Sequence, residues 1–109
     1  MNVNSIAVLD DAWTLIKETL PQTLSLRREI TWKPDGSPVT KADLLHEEVL
    51  GSFLRARLPG VTLVAEESYH SGINMSGDWI AVLDPIDGTE NFCSGLREWG
   101  VALSLWEKG

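Results

Sequence analysis

At 109 residues the chain is bounded to one domain, or to a piece of something larger. Its 43% hydrophobic and 23% charged residues exclude a disordered or low-complexity chain and predict a buried core. Nine Lys+Arg against sixteen Asp+Glu give a net charge of -7, which excludes charge-driven binding to a nucleic-acid polymer or an anionic membrane. The lone cysteine, Cys93, cannot form an internal disulfide and predicts a reducing, cytoplasmic setting. Met1 to Ser5 lack the basic residues and apolar run of a signal peptide, and no apolar stretch approaches the ~20 residues needed to cross a bilayer.

Ile6, Leu9, Trp13, Ile16 and Leu20 recur at spacings of three and four, which predicts an amphipathic helix stopped by Pro21. Arg28 to Trp32 reads as a short strand, and Lys33 to Pro38, dense in turn residues, as a loop. Thr40 with Asp43 three residues on opens a second helix, predicted to be the longest element, with Leu45, Val49, Phe53 and Ala56 on one face up to Leu58 and Pro59-Gly60. Val61 to Ala65 and Trp79 to Leu83 are apolar runs that end directly in acidic residues and read as buried strands. His70 to Gly77, without periodicity, reads as an exposed loop. Val101 to Trp106 is a strand with apolar residues on both faces, leading into a hairpin turn at Glu107 to Gly109. A strand of that kind calls for a neighbour on each side, and the expectation is a truncated protein.

The strongest local signal runs from Trp79 to Thr89, where a buried strand delivers Asp84 and Asp87, then Gly88 and the Thr89 hydroxyl, across a tight turn. Oxygen donors in this arrangement suit Mg²⁺, with an intervening carbonyl as a further ligand. A short helix from near Asp87 to Ser94-Gly95 would add unpaired N–H groups that suit a phosphate. For Asp-Gly-Thr alone, an Asx-type turn capping a helix is the favoured reading. Glu66 and Glu67, directly after the other buried strand, tip the balance, because three acids gathered at strand ends repel unless a cation compensates. The spacing of Asp84 and Asp87 excludes an EF-hand and departs from the one-residue gap of the haloacid-dehalogenase-like signature.

Three motifs, Asp35 to Asp43 (DGSPVTKAD), Ala65 to Ser68 (AEES) and Asp84 to Phe92 (DPIDGTENF), together resemble the inositol monophosphatase family of Mg²⁺-dependent, lithium-sensitive phosphatases, in order and over nearly the whole chain. The resemblance implies two or three Mg²⁺ ions, with Glu66, Asp84 and the Ile86 carbonyl on the first and Asp84 and Asp87 on the second. It implies that Asp87, Gly88 and Thr89 meet the substrate phosphate, and that Asp43 orients the Thr89 hydroxyl which, with Glu66, handles the attacking water. Lys33 matches a loop lysine near the site, and Glu67 is a further candidate. The family's additional metal-binding aspartate, in a Trp-Asp…Ala-Gly segment, has no counterpart here, so the site is expected to be incomplete. Glu90 either tunes substrate choice or favours the helix N-terminus.

Asp43 has a second role open to it, since Thr40-x-x-Asp43 is a capping-box pattern. His46 and His70 lack a partner at ligand spacing and are assigned to surface or packing, and Cys93 to packing. Trp13, Trp32, Trp79, Trp99 and Trp106 are assigned to core or subunit packing. The fold expected is α+β, two helices on a largely antiparallel sheet, which the resemblance places as the N-terminal part of a layered αβαβα sandwich. The function expected is hydrolysis of a small phosphorylated metabolite, by a protein that is a homodimer at full length. The alternative is a non-catalytic fragment or binding subunit that keeps the fold.

Overall fold

The computed structural model describes residues 3–65 and 78–107. Helix α1 spans Ser5–Ser25, with the Asn4 side chain accepting the Ala7 N–H at 3.1 Å as its N-cap. Pro21 does not stop it. A proline forfeits one intrahelical hydrogen bond, and here the helix continues for another turn, so α1 and not the second helix is the longest element. Its buried line is Val8, Ala12 and Thr23, one register away from the expected stripe, and Ile6 and Trp13 are 71% and 62% exposed. Small side chains and threonines let α1 lie close to the second helix, while its large apolar residues border an open groove against Val101 and Leu103.

Strands β1 (Ile30–Trp32) and β2 (Pro38–Thr40) form an antiparallel hairpin in the register Ile30↔Thr40, Thr31↔Val39 and Trp32↔Pro38. The expected loop is therefore only the turn between them, closed by the Lys33 N–H donating to the Ser37 carbonyl at 2.8 Å, with Gly36 at φ +87°. A three-residue strand that begins with proline carries almost no periodic signal. Helix α2 (Lys41–Arg57) begins as expected: Thr40 is its N-cap, and Thr40 and Asp43 form a reciprocal capping box. Its buried face, however, is Ala42, His46, Leu50 and Leu54, while the expected Leu45, Val49 and Phe53 are half-buried and Ala56 is exposed. A histidine in the buried line hides that line from a hydrophobicity count.

Strands β3 (Thr62–Ala65), β4 (Trp79–Asp87) and β5 (Gly100–Glu107) form one sheet in the order β3-β4-β5. β3 runs parallel to β4, from Thr62↔Ile80 to Ala65↔Leu83, and β5 antiparallel to it, from Trp79↔Glu107 to Asp87↔Gly100. The short helix α3 (Thr89–Cys93) follows β4. The α+β class with largely antiparallel pairing holds, with three helices in place of two.

The core lies between α1, α2 and one face of this sheet, where Val8, Leu54, Leu58 and Ala81 pack beside Ala12, Leu50, Ala65 and Leu83. The other face is open: Val82 is 41% and Trp106 61% exposed, so neither β4 nor β5 is covered on both sides among the described residues. Trp13, Trp32 and Trp106 are exposed and not in the core, and Trp79 and Trp99 are half-buried. Cys93 is buried, as its packing role requires. No helix of the described residues is long and apolar enough to cross a membrane. The expected loop from His70 to Gly77 lies outside the described residues.

Candidate active site

Strict alternation along β4 would send Asp84 and Asp87, an odd number of residues apart, to opposite faces of the sheet. The pairing avoids this. Asp84 pairs with Ala102 and Asp87 with Gly100, so three steps on β4 match two on β5, and the extra residue is a β-bulge. Pro85 and Ile86 are consequently buried in succession, and Asp84 and Asp87 line the same pocket. Proline is well placed in such a bulge, because it has no N–H to withdraw from the ladder.

The pocket, of about 280 Å³, is lined also by Ile86, Gly88, Thr89 and Glu90, and by Lys33, Ser37 and Pro38 from the β1–β2 hairpin. Gly88 turns the chain from β4 into α3 at φ +82° and ψ +41°. A Cβ at this position would lie 2.8 Å from the Glu98 carbonyl oxygen, so both conformation and space demand glycine. Asp35 holds the hairpin turn by accepting the Ser37 N–H at 2.9 Å and its hydroxyl at 2.6 Å, and these bonds lower its pKa.

Thr89 Oγ1 lies 3.0 Å from Asp43 Oδ1 and 3.0 Å from the Ile86 carbonyl oxygen, and its single proton can go to either. Asp43 is buried, and its other oxygen, Oδ2, accepts the Thr40 N–H at 2.8 Å and the Thr40 hydroxyl at 2.6 Å. The capping box and the contact with Thr89 thus use different oxygens of one carboxylate. The cap leaves Oδ1 free to make the Thr89 contact.

His46, assigned to surface or packing, is buried on α2 with Nδ1 2.8 Å from the Pro85 carbonyl oxygen and Nε2 2.7 Å from Thr23 Oγ1. Burial pushes its pKa down, opposed by the Pro85 carbonyl and the Asp43 carboxylate. Arg27, which no sequence motif singles out, donates from Nε to the Phe92 carbonyl at 2.8 Å, with its guanidinium 4.9 Å from the Phe92 ring, fastening the end of α1 to α3. No local pattern flags a single arginine whose partner lies 65 residues away.

Glu66, Glu67 and His70 lie outside the described residues. Among the described residues no group of three His, Cys, Asp or Glu side chains is close enough to hold a metal ion. Asp84, Ile86 and Asp87 line one pocket within a four-residue segment, and their two carboxylates and the Ile86 carbonyl are hard oxygens of the kind Mg²⁺ prefers.

Residues 3–109 match the model of the inositol monophosphatase family. A bifunctional phosphatase, IMPL2, of Arabidopsis thaliana chloroplasts is 40% identical over 81 residues, covering 74% of this chain and 23% of that protein. A Streptomyces griseus protein named glucose-1-phosphate thymidylyltransferase is 47% identical over 74 residues, covering 67% of this chain and 28% of its own length. That name describes nucleotidyl transfer and stands apart from the phosphatase names. A solved IMPase/NADP phosphatase complexed with Mg²⁺ and phosphate superposes with a TM-score of 0.78 at 26% identity, covering 96% of this chain and 40% of that one. The chain thus spans about a quarter of the length of these curated relatives and two fifths of the solved structure.

Proposed function

Because the chain belongs to the inositol monophosphatase family, we propose that its pocket is the phosphate-handling part of a Mg²⁺-dependent phosphomonoesterase acting on a small phosphorylated metabolite. The observation that carries this reading is the bulge in β4, which brings Asp84, Ile86 and Asp87 to one pocket together with Thr89, whose hydroxyl lies 3.0 Å from the Ile86 carbonyl. Asp84, Asp87 and the Ile86 carbonyl would hold the metal, joined by Glu66, the next residue in sequence after β3. Two or three bound Mg²⁺ ions supply electrophilic stabilisation of the phosphoryl oxygens and lower the pKa of a water.

The chain's own residues do the rest. Backbone N–H groups at Gly88 and Thr89, where the first turn of α3 leaves donors without intrahelical carbonyls, meet the phosphate. Thr89 Oγ1 turns its proton to Asp43 Oδ1 and offers a lone pair to the attacking water, with Glu66 as the second acceptor. Asp43 is held in place for this by Thr40, which donates to its other oxygen twice. Lys33 adds a positive charge at the pocket wall, and Glu67 stands beside Glu66 in sequence. A homodimer in the cytoplasm completes the reading for the whole protein.

The test is hydrolysis of a panel of phosphate monoesters with and without Mg²⁺ by the whole protein containing this chain. Asp84→Asn should abolish the Mg²⁺-dependent turnover, and Thr89→Ala and Asp43→Asn should each lower kcat with losses that do not add. Turnover that survives Asp84→Asn, or nucleotidyl transfer from dTTP to glucose 1-phosphate in place of hydrolysis, overturns it. Mg²⁺ binding without hydrolysis of any ester would favour the non-catalytic alternative.

A further inference from the structure

We propose that His46 is a positioning residue for this pocket: as a neutral imidazole protonated on Nδ1, it pins the Pro85 carbonyl and so holds the bulge that brings Asp84 and Asp87 to one side. The inference deepens the phosphatase reading and rests on it for the meaning of the bulge. Its geometry stands independently.

Asp84 pairs with Ala102 and Asp87 with Gly100, which leaves Pro85 and Ile86 without register partners on β5. Pro85 is wholly buried, and its only backbone polar group is its carbonyl, which needs a donor. His46 Nδ1 supplies it at 2.8 Å from the middle of α2. A carbonyl oxygen only accepts, so Nδ1 carries the proton, and the neutral ring then presents a lone pair at Nε2. Thr23 Oγ1, 2.7 Å away and fully buried, donates to it. The Thr19 carbonyl, at 3.1 Å, is the longer alternative for the same hydroxyl proton.

The relay therefore runs from α1 through α2 to β4, across residues each less than 2% exposed. It exists only because α1 continues past Pro21 far enough to present Thr23. Pro85 sits between Asp84 and the Ile86 carbonyl, so its carbonyl fixes the orientation of the peptide that joins them. Thr89, just after the bulge, is also anchored to α2: its hydroxyl contacts Asp43 at 3.0 Å and stands 3.0 Å from the next carbonyl, that of Ile86. One helix thus holds the Pro85 carbonyl through His46 and the Thr89 hydroxyl through Asp43, and these two residues share a face of it, three residues apart.

Two substitutions separate the halves of the relay. The amide nitrogen of Asn stands where Nδ1 stands, two bonds from Cβ, so His46→Asn keeps the donor to Pro85 and loses Thr23. The amide end of Gln stands where Nε2 stands, so His46→Gln keeps the contact with Thr23 and loses Pro85. Amide hydrogen exchange at Asp87, Gly88 and Thr89, measured without metal, should be about tenfold faster in His46→Gln and near wild type in His46→Asn. In Mg²⁺ titrations of the same proteins by calorimetry, His46→Gln should bind about tenfold or more weakly, with His46→Asn within a few-fold of wild type.

Equal exchange in the two variants overturns the proposal, and so does an Nε2-protonated ring in the imidazole nitrogen spectrum of the unaltered protein, which needs no variant to fold. If the unaltered protein binds no Mg²⁺, the phosphatase reading falls, and the exchange rates and the ring's protonation still decide the role of His46.

Discussion

Gly88 is the residue whose replacement the geometry penalises most directly. Gly36 shares its backbone conformation, at φ +87° against +82°, but an added Cβ at Gly36 meets nothing within 4 Å, whereas at Gly88 it meets the Glu98 carbonyl at 2.8 Å. Gly36→Ala should therefore cost only the conformational part, about 1–2 kcal/mol, while Gly88→Ala should cost clearly more than that, because backbone must move. Chemical denaturation of the two variants side by side checks this, and equal losses would show that Glu98 yields easily. His46 makes stability depend on pH. Its folded pKa lies below the ordinary 6.5, so as pH falls below about 6.5 the unfolded chain takes up a proton that the folded chain refuses. The contribution is complete above that pH and is lost progressively towards the lower folded value. The Asp43 carboxylate, which faces the ring, opposes the shift without reversing it. Denaturation midpoints measured from pH 7 downward should fall more steeply in the unaltered protein than in His46→Asn.

At the scale of elements, a capping box does two jobs in α2. Thr40 closes the helix N-terminus and also holds the buried Asp43, whereas Asn4 caps α1 at an exposed end. Thr40→Ala should fall at the upper end of the ~0.5–2 kcal/mol range for lost caps and Asn4→Ala at the lower end. Thermal melts of both variants measure the difference. The same box was legible in the sequence because its signal is local: two residue types, three apart, ahead of an apolar pattern. β4 and its acidic end were legible for a similar reason, as a β-branched run that stops at a charge. The bulge was not, since it is defined by the register of β5, more than a dozen residues further on. The buried faces of both long helices were displaced by one position because threonine, alanine and histidine occupy them, and hydrophobicity alone gives such residues little weight. Pro21 weighs less in the fold than in the sequence, since α1 runs through it to Ser25. A proline's local penalty does not end a helix whose next turn is held by contacts such as Thr23 with His46.

Across the whole molecule the tryptophans are unevenly shared between water and interior, and this has an optical consequence. Trp13, Trp32 and Trp106 are 62%, 61% and 61% exposed, so their emission should be red-shifted and open to collisional quenching by acrylamide. Trp99 is half-buried, stacked edge-on to Phe92 with ring centroids 4.8 Å apart, and its backbone approaches Gly88 closely enough that a Cβ there would lie 3.5 Å from its Cα. It therefore stands directly behind the turn that leads from the acidic strand end into α3. With the three exposed rings replaced by phenylalanine, the remaining fluorescence comes from Trp99 and Trp79, and Trp79→Phe subtracts the latter. Inorganic phosphate added with Mg²⁺ should then change the intensity of Trp99, and an unchanged spectrum would place the anion away from Gly88. A ring fixed by the fold for packing thereby becomes a light-emitting gauge of occupancy, readable in the absence of any turnover.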